Sequence, residues 1–286
     1  MERTDKESIR TELEKFVAVK GSQNKAANAL TGVSSATVSQ IINGNWENIS
    51  DEMWRSLSAQ LNVKNKTWNI VETTNFKDLT TIFTDAQENS LAMAVTGDAG
   101  CGKTLTAEAY SHDNKNVFVL SCSEYWNRKT FMQELLRAMG RGATGDTLTD
   151  MMTDAIGALK RMELPLIILD EADKLNDQTM HFFISIYNKL EDQCGIVLMA
   201  TDYLQKRIER GVRLNKKGYK EIYSRIGRRF VALEKTTDQD IIEVCMANGI
   251  ESRTDLKSVV SEADADLRRV KRKVFAINKK NARKSL

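Results

Sequence analysis

Short apolar runs alternate with helical patterns through the middle of the chain. Five of these runs have the length of a β-strand, and they are 91–96, "NVFVLSCS", "PLIILDEAD", "GIVLMATD" and "RRFVALEK". Between them, "TFMQELLRAMG" and "TDMMTDAIGALKRM" repeat apolar residues with the helical period and supply crossovers. The alternation predicts an α/β core over residues 66–235, with a five-stranded parallel sheet and helices on both faces.

The first 65 residues have a helical pattern throughout. Ser22 and Ser34 are placed to cap two short helices separated by Gly32, and a further helix closes the bundle. The second short helix turns apolar residues inward and short polar residues outward; the outward residues that fit a major groove are Thr37, Ser39, Gln40 and Asn43. We predict an all-α helix-turn-helix DNA-binding domain over residues 1–65. A small bundle used for protein contacts is the alternative, which the balance of 8 basic and 8 acidic side chains favours.

The first predicted strand of the core runs into "GDAGCGKT", which fits G-x-x-x-x-G-K-[ST] between a strand and a helix. Glycines let the backbone N–H groups turn toward a β-phosphate, and the helix directs its positive end there. Lys103 is predicted to reach the β- and γ-phosphates, and Thr104 to bind Mg²⁺. The predicted ATP-binding residues of this segment are Gly97, Asp98, Ala99, Gly100, Cys101, Gly102, Lys103, Thr104 and Leu105.

Two further strands end in polar side chains. Asp170 ends a buried strand and is predicted to hold the Mg²⁺ shell, while Glu171 orients and deprotonates the attacking water. Thr201 follows the "GIVLMA" run and could position the same water. The alternatives are a helix cap for the Asp-Glu pair and an ordinary strand end for Thr201.

Arginines lie just before the last predicted core strand and again near the C-terminus. Arg225 lies too far along the chain to reach its own nucleotide, and it is predicted to act as a finger on the nucleotide of a neighbouring subunit. Arg228 and Arg229 could do the same or face solvent or DNA. Residues 236–286 predict a small helical lid with a basic tail, in which Arg268 could lie over the γ-phosphate.

Charge is strongly polarised along the 286 residues, whose net charge is +3. Residues 203–286 carry 22 basic and 11 acidic side chains, which favours a polyanionic partner over a merely solvated helix and tail. No run approaches the roughly 18 apolar residues of a membrane-spanning helix, and the N-terminus is polar. The four cysteines are far apart, so we expect reduced thiols and a cytoplasmic location without a membrane partner.

In this order, the motifs resemble the MuB family of AAA+ ATPases, the phage Mu B transposition proteins, which are related to IstB- and TnsC-type helpers. "NIVETTNFKDL", "VLMATD" and "YSRIGRR" extend the resemblance over nearly the whole chain. It implies an ATP-dependent, Mg²⁺-dependent ATPase that forms homo-oligomers on double-stranded DNA with little sequence preference. Such a protein selects target DNA and stimulates a partner transposase.

The resemblance also implies roles for single residues. Lys103, Thr104, Asp170 and Glu171 match the nucleotide residues; Thr201 stands at the sensor position, where the family often has asparagine. Arg225 matches the trans finger and Arg268 the second sensor, which is preceded here by Asp264-Ala265-Asp266. Candidates for a DNA channel between subunits are Arg128, Lys129, Lys160 and Arg161.

Three functions share these motifs. The first is target selection for transposition, and the second is a phage or plasmid replication initiator or helicase loader. The third is a nucleotide-switched transcription regulator that reads an operator through its N-terminal helices. The sequence leaves open whether the assembly is a closed ring or a helical filament, because the rotation between subunits decides between them.

Overall fold

A five-stranded parallel sheet lies at the centre of the structure, a computed structural model that describes residues 3–61, 63, 68–142 and 147–284. Its strands are β1 (Ala92–Thr96), β2 (Val117–Ser121), β3 (Leu166–Asp170), β4 (Gly195–Ala200) and β5 (Phe230–Ala232). Their spatial order is β2-β3-β4-β1-β5, and each neighbouring pair is parallel. The predicted α/β class and five-stranded parallel sheet are therefore confirmed.

Helices cover both faces of this sheet. They are α5 (Thr74–Glu88), α6 (Lys103–Asp113), α7 (Arg128–Ala138), α8 (Leu148–Leu159), α9 (Asp177–Leu190), α10 (Asp202–Arg213) and α11 (Tyr219–Arg225). Alternation along each strand sends Ile168 and Val197 toward α5 and α6, where Phe83 is fully buried. Ile167 and Ile196 point the opposite way, into a larger cluster with α7 to α11.

The strand order brings three predicted site segments together. β3, β4 and β1 are neighbours, and parallel strands end at the same edge of a sheet. Asp170 is the last residue of β3, Thr201 follows β4, and the loop from Gly97 follows β1. Sequence segments that are up to about a hundred residues apart thus meet at the carboxyl edge.

Four helices precede the core: α1 (Arg3–Lys20), α2 (Gln23–Ala29), α3 (Ser35–Ile42) and α4 (Asp51–Gln60). The predicted caps are confirmed, since the Ser22 and Ser34 side chains accept hydrogen bonds from the Lys25 and Thr37 amides. The helices share their own apolar cluster around the fully buried Trp54. α1 begins earlier than its apolar pattern, which starts at Ile9.

This bundle rests on the core through polar contacts. Lys20 Nζ donates to the Ala138 carbonyl at 2.8 Å, and burial lowers the pKa of Lys20 to about 8. Asn28 Nδ2 donates to the Gly140 carbonyl, and His112 Nε2 lies 3.0 Å from the buried Glu12 carboxylate. The bundle is therefore docked on the α6 and α7 side of the core.

Three helices follow the sheet: α12 (Asp238–Ala247), α13 (Arg253–Ala263) and α14 (Leu267–Lys284). They form a separate apolar cluster, against which Trp68 and Val71 pack. The Asn248 side chain fixes the segment before α5, because it accepts from the Asn69 amide at 2.8 Å and donates to the Asn69 carbonyl at 3.0 Å. The predicted domain boundary at residues 65 and 66 lies outside the described residues.

None of the helices within residues 3–61, 68–142 and 147–284 is long and apolar enough to cross a membrane.

Candidate nucleotide site

The loop after β1 has the backbone of a phosphate cradle. Gly100 and Gly102 have φ values of +83° and +100°, a region that side chains with a Cβ rarely adopt. α6 begins directly afterwards at Lys103, so its unpaired N–H groups face the loop. Lys103 Nζ donates to the Gly97 and Asp98 carbonyls at 2.7 and 2.9 Å, which folds the loop around its own lysine.

The predicted loop residues fall into two groups, those that line a cleft and those that shape the loop. Those that line a cleft of about 450 Å³ are Ala99, Gly100, Gly102, Lys103, Thr104 and Leu105. Gly97 and Asp98 contribute the carbonyls that hold Lys103, and the buried Cys101 lies beneath, its Sγ 3.6 Å from Lys103 Nζ. The first group can therefore contact a ligand directly, whereas the second shapes the loop.

Thr104 and Asp170 form the oxygen pair expected at a Mg²⁺ site. Thr104 Oγ1 donates to Asp170 Oδ2 at 2.6 Å, and the Glu171 amide donates to Asp170 Oδ1 at 2.9 Å. Asp170 is only 2% exposed. Hydroxyl and carboxylate oxygens suit this hard cation, so the residues present fit Mg²⁺. When bound, the ion would neutralise charge on the phosphates.

Burial acts against the charged form of Asp170. Desolvation raises the pKa of this carboxyl above its usual range, although the hydrogen bonds from Thr104 and the Glu171 amide oppose the shift. The Asp170 charge in turn adds to the burial that raises the pKa of Glu108, in the same cleft. Without a cation, this site therefore holds negative charge at the expense of stability.

We expect Asp170→Asn to raise the unfolding temperature of the nucleotide-free protein at neutral pH. A raised carboxyl pKa makes the wild-type fold more stable below its unfolded-state pKa, near 4, and less stable as the pH rises through the folded-state pKa. The gain should be a few degrees at pH 7, where about 1 kcal/mol corresponds to about 2–4 °C, and should shrink toward pH 4.

Thermal unfolding in EDTA across this pH range measures the effect. The exposed Asp85→Asn substitution is the control, for which we expect no pH-dependent difference. A lower unfolding temperature for Asp170→Asn at neutral pH would contradict the account of burial given above.

Glu171 and Thr201 approach the cleft from neighbouring strand ends. Glu171 has left-handed backbone angles, φ 53° and ψ 38°, which turn the chain sharply after β3. Its carboxylate pairs with Lys174 Nζ at 2.6 Å. Thr201 Oγ1 donates to Asp173 Oδ2 at 2.9 Å. Glu171, Asp173 and Thr201 all line the cleft, so Asp173 joins the two predicted water-positioning residues.

Arg207, which the sequence analysis did not select, connects this edge to α11. Its guanidinium, 15% exposed at the side chain, donates to the carbonyls of Asp173 and Leu175 at 3.2 and 2.5 Å. It also binds Asp177 Oδ1 at 2.6 Å and the Tyr219 hydroxyl at 3.1 Å. Only its place on an amphipathic helix was visible in the sequence, and that pattern does not distinguish a buried arginine from an exposed one.

The start of α14 closes over the loop. The Leu267 amide donates to the Gly100 carbonyl at 3.0 Å, and a Cβ on Gly100 would overlap the Asp266 carboxylate. Asp266 Oδ1 accepts from the Arg268 amide at 2.8 Å, so this aspartate caps α14. Arg268 lines the cleft, and its predicted position over a γ-phosphate stays a prediction. The unusual residues before it therefore form the turn into α14.

The other end of the cleft is apolar. It is lined by side chains from the segment before α5, from the first turn of α5 and from the C-terminal helices, namely Trp68, Ile70, Val71, Phe76, Val244 and Leu267. Lys271 Nζ lies 5.3 Å from the Trp68 ring centre. A cleft with a polar phosphate end and an apolar end has the shape for a nucleotide. The "NIV" run before α5 was the only sequence signal for this wall.

Arg225 lies away from the cleft of its own chain. It ends α11, and its guanidinium lies 5.3 Å from the Tyr187 ring centre and 3.6 Å from Glu191 Oε1. The side chain is 34% exposed, although its buried Nε has no hydrogen-bond partner among the described residues. Arg228 and Arg229 are exposed in the turn that follows.

The residues predicted to contact DNA also lie outside the cleft. Gln40 and Asn43 are exposed on α3, whereas the half-buried Thr37 and Ser39 bond to Ser34 Oγ and Asn43 Nδ2. The four basic candidates are exposed at the start of α7 and just after α8: Arg128, Lys129, Lys160 and Arg161. Their contacts with DNA stay predictions.

Comparison with known proteins places this site in a family context. The model of the AAA domain matches residues 86–208, from the end of α5 into α10. The "ATP-dependent target DNA activator B" of Escherichia phage D108 is 25% identical over 244 residues, covering 79% of this chain and 73% of that protein.

A solved structure, described as "Structure of Drosophila ORC bound to DNA", aligns with a TM-score of 0.47 and 14% identity, over 72% of this chain and 56% of that one. The AAA domain implies nucleotide binding and a nucleotide-hydrolysing type of family. The resemblance inferred from the sequence is thereby confirmed: the chain matches the AAA domain and is similar to a target DNA activator B protein.

Proposed function

We propose that this protein is an ATP-dependent DNA-binding ATPase that assembles on duplex DNA with little sequence preference, selects target DNA and stimulates a partner transposase. One observation carries the proposal most strongly. Lys103, the Thr104–Asp170 pair and Glu171 meet in one cleft, whereas Arg225 of the same chain points elsewhere. The printed name of the phage D108 relative, a target DNA activator, supports the biological role.

Each cleft residue has a defined task in this proposal. Lys103 exchanges its bonds with the Gly97 and Asp98 carbonyls for bonds with the β- and γ-phosphates. Thr104 and Asp170 hold Mg²⁺. Glu171 takes a proton from the attacking water, and Thr201 helps to orient that water through its link to Asp173. Arg268 lies at the mouth of the cleft beside the phosphates.

A neighbouring subunit completes the site. Arg225 ends a helix held by buried contacts, and its guanidinium can leave the exposed Glu191 without leaving a buried ion unpaired. An arginine supplied by a second copy makes hydrolysis depend on assembly. ATP between subunits would then stabilise the assembly, and hydrolysis would loosen it.

Three parts of the chain have different roles in this proposal. The separate apolar clusters of residues 1–65, 66–235 and 236–286 support a division into DNA reader, nucleotide-binding core and lid. The exposed Gln40 and Asn43 favour one competing function, a transcription regulator that reads an operator.

Electron microscopy with a slowly hydrolysed ATP analogue tests this proposal. Continuous filaments on random-sequence duplex DNA are the expected result. Assembly only on one selected sequence would favour the regulator, and the absence of any ATP-enhanced DNA binding would refute the proposed function.

Lys103→Ala should prevent nucleotide-dependent assembly on DNA. The substitution removes the cation that binds two phosphates, a loss of about 3 kcal/mol or about 100-fold in ATP affinity. Equilibrium binding of a fluorescent ATP analogue measures the first effect, and sedimentation with duplex DNA measures the second. Lys115→Ala, which alters an exposed lysine beyond the far end of α6, is the matched control and should behave like wild type. Unaltered ATP affinity in Lys103→Ala would contradict the assignment.

A further inference from the structure

An exposed basic cluster extends from the last turn of α10, through the connection, to the first turn of α11, and we name it the basic turn. Its members are Arg210, Arg213, Lys216, Lys217 and Lys220. None of them makes an ion pair or a side-chain hydrogen bond with any residue in the described part of the chain. Glu209 and Glu221 form no ion pair with these five cations in the described part of the chain. A hydrogen bond from the Tyr219 hydroxyl lowers the pKa of Asp177 and the charge of Lys216 helps to lower it, but that carboxylate is already bonded to Arg207 as well.

The first half of α14 is different, although it is equally rich in basic residues. Arg269 pairs with Asp264 at 3.5 Å, and Lys273 pairs with Glu262. Lys271 lies over the Trp68 ring. These cations are engaged within the lid. Exposed basic residues without an ion pair in the described C-terminal third therefore include the basic turn, Arg228 and Arg229, and the end of α14.

The basic turn is also anchored to the core by buried contacts, whereas the last described residues of α14 are exposed. The Tyr219 ring packs against Gly211, where a Cβ would overlap it, and the ring is 2% exposed. Its hydroxyl donates to Asp177 Oδ1 at 2.6 Å and accepts from Arg207. The Lys216 amide donates to the Gly211 carbonyl at 2.9 Å, which closes the turn. Cations on a fixed backbone lose less freedom on binding than cations on a mobile tail.

We propose that the basic turn binds the phosphate backbone of duplex DNA, an inference that rests on the proposed function. DNA offers a dense, regular row of charges, about one for each 1.7 Å of its axis. Arg210 and Arg213 are nearly one helical turn apart, about 5 Å, so both can follow such a row. The ammonium groups of the three lysines are compact charges without the planar donor pair of a guanidinium. Such groups suit contacts with phosphates that do not read sequence.

DNA bound at the basic turn would also affect the proposed ATPase site. The basic turn joins α10, which follows Thr201, to α11, which ends in Arg225. Arg207 ties both helices to the Asp173 carbonyl at the cleft. DNA held at the turn would therefore fix the helix that carries the trans arginine. The basic turn belongs to other elements than the predicted channel candidates, which stand at the start of α7 and just after α8.

The test is the salt dependence of DNA binding in ATP, measured on the full chain. A triple variant, K216Q with K217Q and K220Q, should lower the slope of log affinity against log salt by about 2.7 for each bound subunit, at about 0.9 per lost phosphate contact. A matched variant, K279Q with K280Q and R283Q, removes the same charge from the exposed end of α14 and should change the slope much less. Replacing Lys216, Lys217 and Lys220 by arginine should preserve the wild-type slope.

Each other outcome overturns the inference. An unchanged slope in the turn variant, with ATP-dependent DNA binding intact in wild type, removes the turn from the DNA interface. An equal decrease of the slope in both triple variants would indicate that DNA binding depends on total positive charge and not on the basic turn. Loss of ATP-dependent self-assembly without DNA would identify a second copy as the partner. If wild type itself binds no DNA in ATP, the proposed function fails together with the inference. Thermal unfolding verifies that every variant is folded.

Discussion

Arg225→Ala should lower ATP turnover by about 10³–10⁵-fold, the range of a trans-acting arginine, while ATP affinity stays near wild type. The reason is geometric. The Arg225 guanidinium contacts Tyr187 and Glu191 and does not line the cleft of its own chain. Its removal therefore leaves the cleft intact and deprives only the neighbouring site. Steady-state hydrolysis and binding of a fluorescent ATP analogue measure the two quantities separately.

A mixing experiment distinguishes action in trans from action in cis. Subunits with Arg225→Ala retain Glu171, and subunits with Glu171→Gln retain Arg225. Each preparation alone should be nearly inactive, whereas their mixture should recover part of the wild-type turnover at interfaces that combine both intact groups. The exposed Arg253→Ala, at the start of α13, is the matched control. A loss of ATP affinity in Arg225→Ala, or no recovery on mixing, would assign this arginine to its own site.

The meeting of polar residues at the carboxyl edge of the sheet was predictable because its sequence signals are local. A glycine-rich loop follows one apolar run, and an Asp-Glu pair ends another. Parallel strands end at the same edge, so these two observations alone predict that Lys103, Asp170 and Glu171 meet. The Ser22 and Ser34 caps were equally readable, since a cap depends on the residues within one helical turn.

Residues that act through distant contacts were not predictable. Arg207 matters because it meets Asp173 and Tyr219, which lie far from it in sequence and belong to other elements. Likewise, the apolar wall combines Val71 with Val244, which pattern analysis assigns to separate segments. The spacing of residues along the chain does not predict these tertiary contacts, because they depend on how the helices pack. The Asp266 cap follows the same rule: its sequence departs from the expected small residue, and only the contact with Gly100 explains the turn.

Glu171→Gln should retain ATP binding, lower turnover by about 10²–10⁴-fold and give long-lived complexes on DNA. The amide keeps the size of the side chain and tolerates the left-handed backbone about as well as the glutamate does. It cannot accept the proton of the attacking water. The lost partner of Lys174 matters little, because both side chains of that ion pair are more than 40% exposed. Chemistry is thus blocked while the ATP-bound state, and the assembly that it stabilises, persists.

The decisive measurement is the dissociation of labelled duplex DNA after a challenge with excess unlabelled DNA in ATP. Wild-type complexes should decay as ATP is consumed, whereas Glu171→Gln complexes should survive many wild-type lifetimes. Glu88→Gln makes the same chemical change on the exposed surface of α5 and should match wild type. Rapid loss of the Glu171→Gln complexes in ATP would separate hydrolysis from disassembly. In that case the timing of release would have to come from ATP binding itself, or from the lid that closes on Gly100 through Leu267.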